Sequence, residues 1–375
     1  MPLNKRPSMN IILTGATGTL GSRILFSLLE SKLQHLKTIY LPVRNKKSLS
    51  PKMRIKNMLF SEFAPEFIKK NKDEINDKIV VLDSDELLEP TKFLRQETID
   101  FLIHSAGFVN LSTHPSAKKE IFEENLKFTQ NIFNVYAPHI RKFIYISTAF
   151  SIGDIGGLLN NDYGNSIGKN YRNYYEASKH ECEQFLMKEG KARKIPVQIL
   201  RPSVLGGNIS DAPHFFISKY MVFYLFAKFF NNSKSKDKVR ISANKGTGLN
   251  IIPTDYAAKV IVKVMDTDIE QLNIVHSQDT DLRQGMLRIF EAVGFTNYVF
   301  TQEKIDGKSG FGTKLEQFYY ETIGVHLHPY LNSKPNKWDT ALLESILPLP
   351  HYNLEDYLTD TVAFAKTNRF RNQKW

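Results

Sequence analysis

The sequence predicts an α/β fold in which helices cover both faces of a parallel β-sheet. Two features of the pattern predict it. Six short apolar runs alternate with longer segments of helical periodicity, as in sheets whose parallel strands are buried on both faces. In addition, a glycine-rich turn joins the first run to the first helix, which is typical of a Rossmann-type, doubly wound sheet.

The six apolar runs are predicted to be strands, in chain order. They span residues 9–13, 38–43, 79–82, 101–103, 143–146 and 197–200, and 272–275 is a candidate seventh strand. Helices are predicted over residues 21–31, 285–293 and 354–367. The alternation ends after residue 205, although 251–265 returns to it. We therefore expect a sheet domain of residues 1–205, completed by 251–276, and a smaller C-terminal portion of residues 206–250 and 277–375.

The composition excludes several classes of protein. Cys182 is the single cysteine, so an internal disulfide and a cysteine-based zinc site are excluded. No run reaches the ~20 apolar residues of a membrane span, and the polar start followed by a short apolar run does not resemble a signal peptide. A cytoplasmic location is therefore expected.

The formal net charge of +11 allows three interpretations. The charge can simply keep the protein soluble, or it can attract an acidic partner such as a phosphorylated cofactor or an acidic carrier protein. Nucleic-acid binding is the third interpretation. We expect no nucleic-acid partner, because no helix-turn-helix, zinc or stacked-aromatic motif accompanies the charge.

A glycine-rich loop follows the first predicted strand and opens the first predicted helix. Its sequence is Thr14-Gly15-Ala16-Thr17-Gly18-Thr19-Leu20-Gly21. Gly15 permits a tight turn, Gly18 lets the backbone approach a diphosphate, and Gly21 lets the helix pack closely on the sheet. Because a helix N-terminus attracts phosphate, the loop predicts a dinucleotide site. A glycine-rich turn without a ligand is the alternative.

The residues after the second strand indicate which dinucleotide is expected. An acidic residue there would bind the ribose 2′-hydroxyl of NAD, whereas a basic residue accommodates the 2′-phosphate of NADP. Residues 41–47 contain no acid, and Arg44 directly follows the strand. Arginine pairs with phosphate through two parallel hydrogen bonds. We therefore expect NADPH, although a solvated basic loop would look the same in sequence.

Tyr175 and Lys179 are the candidate catalytic pair. Side chains four residues apart share one face of a helix. A free phenol has a pKa near ~10, and a nearby lysine cation would lower it, so that the tyrosine could donate a proton to a developing oxyanion. Thr148 follows the fifth predicted strand and would hydrogen-bond the substrate carbonyl. The spacing alone is common in helices, but the glycine loop and Thr148 favour the catalytic interpretation.

Other chemistries find no support in the sequence. His326 and His328 lie close together, but no acidic set accompanies them, so no metal is expected.

Together these residues resemble the extended short-chain dehydrogenases/reductases. Within them the chain is most similar to the fatty acyl-CoA reductases and to the thioester-reductase domains of carboxylic acid reductases and peptide synthetases. The resemblance covers roughly residues 9 to 265. The glycine loop and the Tyr175/Lys179 pair belong to the whole superfamily. Three further segments are closer to the thioester reductases: Val109-Asn110 after the fourth strand, Ser147 to Phe150, and Pro253-Thr254-Asp255.

The resemblance implies roles for individual residues. It implies that Thr148, Tyr175 and Lys179 are catalytic. It also implies a set of cofactor contacts, most of them at the carboxyl ends of the predicted strands: Gly15, Thr17, Gly18, Thr19, Leu20, Gly21, Arg44, Asp83, Ala106, Gly107, Lys179 and Pro202.

The resemblance further implies an activity. The expected reaction is the NADPH-dependent reduction of an acyl thioester, carried on coenzyme A or an acidic carrier protein, to an aldehyde, with further reduction to an alcohol left open. A ketone reductase, epimerase or dehydratase of the same superfamily is an alternative with the same catalytic residues. A non-catalytic dinucleotide sensor is a second alternative, although a sensor does not need all three catalytic side chains.

Residues 213–230 are the candidate wall of the substrate site in the C-terminal portion. The segment holds eight aromatic residues besides His214, and its charges are Lys219 and Lys228. It follows a strand at the edge of the sheet where ligands bind. We expect it to line or cover an elongated apolar substrate site, with peripheral membrane contact as a further option. A core helix or a dimer interface is the alternative, since aromatic stripes usually pack inside proteins.

Overall fold

The computed structural model describes residues 8–46, 49–94, 97–163 and 170–375. Its strands are β1 (Met9–Thr14), β2 (Leu36–Val43), β3 (Ile79–Asp83), β4 (Ile99–His104), β5 (Ile140–Ile146), β6 (Gly157–Leu159), β7 (Val197–Pro202), β8 (Val204–Gly206), β9 (Val239–Ser242), β10 (Gly248–Leu249), β11 (Ile251–Pro253), β12 (Gln271–Ile274), β13 (Thr280–Asp281), β14 (Tyr298–Thr301) and β15 (Asn336–Trp338).

Helices connect most of these strands. They are α1 (Thr19–Lys32), α2 (Pro51–Leu59), α3 (Glu66–Lys70), α4 (Lys72–Lys78), α5 (Ala117–Phe122), α6 (Phe128–Tyr136), α7 (Tyr174–Arg193), α8 (Phe223–Asn232), α9 (Thr254–Val264), α10 (Leu282–Val293), α11 (Lys314–Tyr319), α12 (Val325–Leu331), α13 (Ala341–Ile346) and α14 (Leu354–Thr367).

Seven strands form one parallel sheet in the order β12-β7-β5-β4-β1-β2-β3. The chain runs outward from β1 to β3, returns to β4 on the other side of β1, and then runs outward again. The order therefore reverses between β1 and β4, and ligands of doubly wound sheets bind at such a reversal. This confirms the predicted α/β, Rossmann-type fold.

Alternate residues of β1 point to opposite faces of the sheet, as the strand geometry requires. Ile11 and Leu13 pack in the core beneath α1 and α9, whereas Ile12 packs in the core beneath α6 and α7. All three are fully buried. Helices therefore cover both faces of the sheet. This explains why the strands are continuous apolar runs and do not alternate between apolar and polar residues.

All seven predicted strands are confirmed, with shifts of up to three residues at their ends. The largest shift is in β5, which begins at Ile140 rather than at Phe143. Arg141 is exposed and Lys142 is half-buried there. The two charged residues interrupt the apolar pattern, so the start of the strand was not recognisable in the sequence. The backbone of β5 nevertheless pairs with β4 there, because these hydrogen bonds do not depend on the side chains.

A third core lies outside the sheet. It is formed mainly by α8, α10 and α14, together with β9 and residues of α11 and α12. Leu343 and Trp375, although late in the chain, pack instead in the sheet core that contains α1 and α9. The last part of the chain therefore contacts both the third core and the sheet.

Residues 213–230 are mostly interior. Helix α8 begins at Phe223, and its side chains Phe223, Tyr224, Phe226 and Phe230 are buried in the third core. The structure thus gives no support to the expected membrane contact, because the apolar side chains face the protein rather than its surface. Among the described residues, no helix is both long and apolar enough to cross a bilayer.

Candidate functional site

The glycine loop lies at the point where the strand order reverses. Gly15 adopts a φ of +72°, which favours glycine, and a Cβ atom there would lie 2.7 Å from the backbone nitrogen of Ala106. A Cβ atom at Gly21 would lie 2.1 Å from the carbonyl oxygen of Gly15. The loop and the start of α1 therefore fit against each other and against the end of β4 only because these two positions lack side chains.

A buried hydrogen-bond chain fixes the loop to β4. His104 joins the Thr14 hydroxyl at 2.8 Å and the Thr129 hydroxyl at 3.1 Å, and Thr14 accepts a further bond from the backbone N–H of Ala106 at 3.1 Å. Burial lowers the pKa of His104 to about 3, and the charge of Lys179 adds to this effect. His104 is therefore a neutral, structural link between two of the predicted cofactor loops.

The N-terminus of α1 suits an anion. Gly18 is the N-cap residue, it provides no side-chain cap, and the first turn contains no acidic residue. The N–H groups of a first helical turn have no partner within the helix, and the helix dipole favours negative charge there. The geometry therefore agrees with the role that the glycine loop was predicted to have.

A groove of about 400 Å³ runs past this loop. Six of the residues predicted to bind the cofactor line it: Gly15, Thr17, Gly18, Arg44, Ala106 and Gly107. The other six are not among its lining residues: Thr19, Leu20, Gly21, Asp83, Lys179 and Pro202. The structure thus brings half of the predicted set together in one groove, and cofactor contact by each residue stays a prediction.

Three basic side chains converge on the groove. Arg44 was predicted, but Arg54 and Lys219 were missed, and all three line it. Desolvation lowers the pKa of Lys219, and the nearby charges of Lys46, Arg54 and Arg44 lower it further. The mutual repulsion shows how closely the charges are gathered. Lys47 of the same basic segment lies outside the described residues.

Arg54 also links this region to the last residue of the chain. Its guanidinium donates to the Thr17 hydroxyl at 2.9 Å, to the Arg44 carbonyl at 2.6 Å and to the Trp375 carbonyl at 3.2 Å. Trp375 in turn donates its indole N–H to the Thr17 carbonyl at 3.3 Å. The only sequence signal for Arg54 at the groove is that it follows Arg44 by ten residues. No sequence signal indicated that Trp375 contacts the glycine loop.

Three further residues at the ends of strands or beside Arg44 already have partners within the protein: Glu124, Asp83 and Pro202. Glu124 lies 4.0 Å from the Arg44 guanidinium, in an ion pair that is largely exposed. Asp83, at the end of β3, accepts a hydrogen bond from the Asn45 side chain and caps the short helical turn that follows. Pro202 ends β7, and its carbonyl accepts the backbone N–H of Ala149 at 3.0 Å.

The predicted helix that carries Tyr175 and Lys179 is α7, which begins at Tyr174. Asn173 caps it by accepting the Glu176 N–H at 3.0 Å. The Lys179 ammonium donates to the Ile146 carbonyl at the end of β5, at 2.7 Å, and lies 4.1 Å from the centre of the Tyr145 ring. Burial lowers the pKa of Lys179 to about 8.

Lys179 also faces the cofactor groove. A Cβ atom at Gly107 would lie 3.9 Å from the lysine nitrogen and 3.8 Å from the side-chain oxygen of Asn125. Asn125 closes this corner, because it exchanges hydrogen bonds with the backbone of Phe108 and donates to Ser178 at 3.1 Å. The lysine, the groove and the end of β5 therefore meet at one place.

The surroundings of Tyr175 differ from the expectation. Burial raises its pKa, and the neighbouring Glu176 carboxylate raises it further. We expected Lys179 to lower the pKa of Tyr175, but the surrounding protein raises it. A raised pKa keeps the phenol protonated at neutral pH, which suits a proton donor.

Thr148 lies on a loop that a buried carboxylate fastens to α7. Glu183 accepts hydrogen bonds from Ser147 and, at 2.7 Å, from Ser151, which flank Thr148 on either side. Its other oxygen pairs with Arg201 at 2.8 Å, and both charged side chains are fully buried. Sequence reasoning missed Glu183, which lies one helical turn after Lys179 on α7.

The described residues contain no group of three or more side chains that could hold a metal ion. Of the two histidines considered earlier, His328 contacts Asn332 instead. The arrangement therefore offers a groove at the glycine loop with Lys179 beside it, while Tyr175 lies on the same helix as Lys179 and Thr148 lies on the loop that follows β5.

Curated relatives include fatty acyl-CoA reductase 1 of Mus musculus and of Homo sapiens. Each is 28% identical over 235 residues, and the match covers 53% of this chain and 44% of the relative. The chain therefore spans less than half the length of the curated relatives it matches.

Solved structures with the same fold come from several kinds of enzyme. A thiolation-reductase di-domain from an archaeal non-ribosomal peptide synthetase has a TM-score of 0.69 and 20% identity, covering 97% of this chain and 76% of that chain. The terminal R domain of the myxalamid PKS-NRPS pathway has a TM-score of 0.68 and 17% identity, covering 100% and 94%. UDP-glucuronic acid 4-epimerase from Bacillus cereus has a TM-score of 0.64 and 17% identity, covering 96% and 100%. At these identities the similarity shows a common fold.

A family model also matches the sequence. The model of the NAD-binding domain described as male sterility protein matches residues 13–261. These residues include the glycine loop, Thr148, the Tyr175/Lys179 pair and the return of the chain to the sheet through α9. The match covers more than half of the chain, and the chain therefore belongs to the male sterility protein family.

Proposed function

We propose that this protein reduces an acyl thioester with NADPH and releases an aldehyde. The observation that carries the proposal is the meeting of Lys179, the end of β5 and the dinucleotide groove at one place, with Tyr175 on the same helix. The relatives named fatty acyl-CoA reductase support the thioester as substrate. A carrier-bound thioester is also supported, because the thiolation-reductase di-domain shares the fold.

The groove fits a dinucleotide on structural grounds. A Cβ atom at Gly15 would collide with the backbone of Ser105 and Ala106, so the loop is shaped for close backbone approach. The N-terminus of α1 is uncapped by side chains, and the Nε–H group of the buried Arg54 has no hydrogen-bond partner among the described residues. Lys219 and Arg44 add positive charge at the same groove. These charges support a 2′-phosphate and hence NADPH rather than NADH.

When bound, the cofactor supplies a hydride for the carbonyl carbon of the thioester. The Thr148 and Tyr175 hydroxyls donate hydrogen bonds to the carbonyl oxygen as it gains negative charge. Tyr175 then transfers its proton to that oxygen, and the raised pKa of its phenol keeps this proton available. The resulting hemithioacetal collapses to a thiol and an aldehyde. Lys179 would hold the nicotinamide ribose of the bound cofactor, and its hydrogen bond to the Ile146 carbonyl fixes the position of its ammonium group.

An epimerase or dehydratase acting on a nucleotide-sugar is the second candidate. The epimerase from Bacillus cereus shares the fold over nearly the whole chain. The C-terminal portion favours the thioester, because its cavity beneath α8 has an entirely apolar lining that offers nothing to a sugar hydroxyl.

The test is an assay of NADPH oxidation at fixed protein concentration. Acyl-CoA esters, carrier-bound acyl groups and nucleotide-sugars are offered separately, and aldehyde and free thiol are measured. We expect turnover with thioesters and a loss of at least ~100-fold in kcat for Tyr175→Phe, with the Kd of NADPH unchanged. Tyr174→Phe, one residue away on the same helix, is the matched control and should keep its activity. Turnover of nucleotide-sugars alone, or a fully active Tyr175→Phe, would contradict the proposal.

A further inference from the structure

An apolar cavity lies between α8, α10, α12 and α14, outside the dinucleotide groove. Val222, Phe223, Phe226, Met286 and Leu358 are among its walls, and the surface that faces its interior is entirely apolar. The cavity has a volume of about 50 Å³, which is room for roughly four water-sized groups. Water gains no hydrogen-bond partners in such a space, so an apolar ligand suits it better.

Tyr330 joins this cavity to the candidate active site. It lines the cavity, and its hydroxyl accepts a hydrogen bond from Asn173 at 2.8 Å. Asn173 caps α7 two residues before Tyr175. The Tyr330 ring also meets the edge of Phe150, which follows Thr148 by two residues, at 6.0 Å between ring centres. One side chain thus separates the cavity from both segments that carry the proposed catalytic hydroxyls.

We propose that this cavity is the acyl-tail site and that it limits the length of chain the protein accepts. The inference rests on the proposed function, because the thioester carbonyl must lie beside Thr148 and Tyr175 while the tail passes Tyr330. Each methylene that enters the cavity contributes about 0.8 kcal/mol, which is roughly a four-fold gain in affinity. The gain should continue for roughly four carbons and then stop, because the cavity is full.

Two phenylalanines on α8 provide a matched test. Phe226 and Phe230 are one turn apart, both are 2% exposed, and both contact Phe290 and Tyr319. Only Phe226 is a wall of the cavity. Phe226→Leu should lengthen the steep part of the chain-length series by about two carbons. Phe230→Leu should loosen the core to a similar extent and leave the series unchanged.

A third variant should act in the opposite direction. Gly285 is a wall of the cavity, and a Cβ atom there would lie 3.0 Å from Thr280 and 3.3 Å from Leu358. Gly285→Ala adds one methyl group at this wall and also favours the helix. The steep part of the series should become about one carbon shorter, while the melting temperature is maintained.

Binding and turnover are measured separately. Isothermal titration with straight-chain acyl-CoA esters of increasing length, without cofactor, gives the Kd series for the wild type and the three variants. NADPH oxidation with the same esters gives the kcat/KM series. We expect both series to rise about four-fold per carbon and then level off.

The two possible failures are distinguishable. Tight, length-dependent binding without NADPH oxidation would sink the proposed function and leave the cavity assignment standing. Thioester reduction with a Kd series that does not depend on chain length would overturn the cavity assignment alone. Equal displacement of the series by Phe226→Leu and Phe230→Leu would also overturn it, because the effect would then come from general loosening of the core.

Discussion

The buried Glu183 carboxylate holds the loop that carries Thr148, so changing its contacts tests whether this loop must be fixed for catalysis. Ser147 and Ser151 both donate to one of its oxygens, and Arg201 donates to the other through two nitrogens. The carboxylate thus ties α7, β7 and the Thr148 loop together without touching the groove. We predict that weakening this contact lowers kcat while leaving the KM for NADPH unchanged.

The magnitudes follow from the burial of the pair. Glu183 and Arg201 are both fully buried, and removing one member of such a pair costs about 3–5 kcal/mol. Glu183→Gln is therefore expected to be severely destabilised. Ser151→Ala removes a single 2.7 Å hydrogen bond from the carboxylate, which should cost about 1–3 kcal/mol. Because a displacement of about 1 Å can lower a rate ~100-fold, we expect kcat to fall by roughly ten-fold or more.

The assay pairs urea denaturation with steady-state kinetics for Ser147→Ala and Ser151→Ala. Ser203→Ala is the matched control, since Ser203 is also buried but its hydroxyl has no hydrogen-bond partner among the described residues. Ser151→Thr, which keeps the hydroxyl, should recover much of kcat. If both alanine variants lose stability but keep wild-type kcat, Glu183 is structural only and the positioning argument is refuted.

Three further outcomes are expected. Arg44→Ala should weaken NADPH binding about 10- to 100-fold and NADH binding less than two-fold, as measured by fluorescence titration; equal affinities of the wild type for both cofactors would contradict it. Gly21→Ala should abolish NADPH binding because its Cβ atom would lie 2.1 Å from the Gly15 carbonyl, whereas Gly307→Ala, with nothing within 4 Å, should be neutral. Burial lowers the pKa of Lys179 from 10.5 to about 8, so the unfolded chain binds more protons between these values and stability should rise with pH there. Urea denaturation of the wild type against Lys179→Met measures this, and a difference that does not change with pH would rule it out.

Much of the fold could be predicted from local sequence. Strands buried on both faces must be apolar throughout, so their positions were visible, and the glycine loop was recognisable because Gly15 and Gly21 have no room for a side chain. Helix α14 was predicted over the same residues that it occupies, Leu354–Thr367. Its N-cap, Asn353, is a local signal of the kind that sequence reveals.

The interpretation of residues 213–230 shows the limit of such reasoning. The aromatic composition indicated burial against something apolar, but periodicity does not say whether that is a membrane, a ligand or the protein itself. The structure packs Phe226 and Phe230 against Phe290, which is 60 or more positions away in the sequence. On the same helix, the side chains of Phe223 and Phe226 line a cavity.

The sequence by itself determined the fold class, the glycine loop and the Tyr175/Lys179 spacing, because each depends on residues that are close together in the chain. Only the tertiary structure decided which distant groups surround them. It placed Arg54, Lys219 and Trp375 beside the glycine loop, and it placed the Glu183 carboxylate against Ser147 and Ser151 on the loop that carries Thr148. It also reversed the expected direction of the Tyr175 pKa, because desolvation depends on how much protein surrounds the phenol, which no spacing along the chain records.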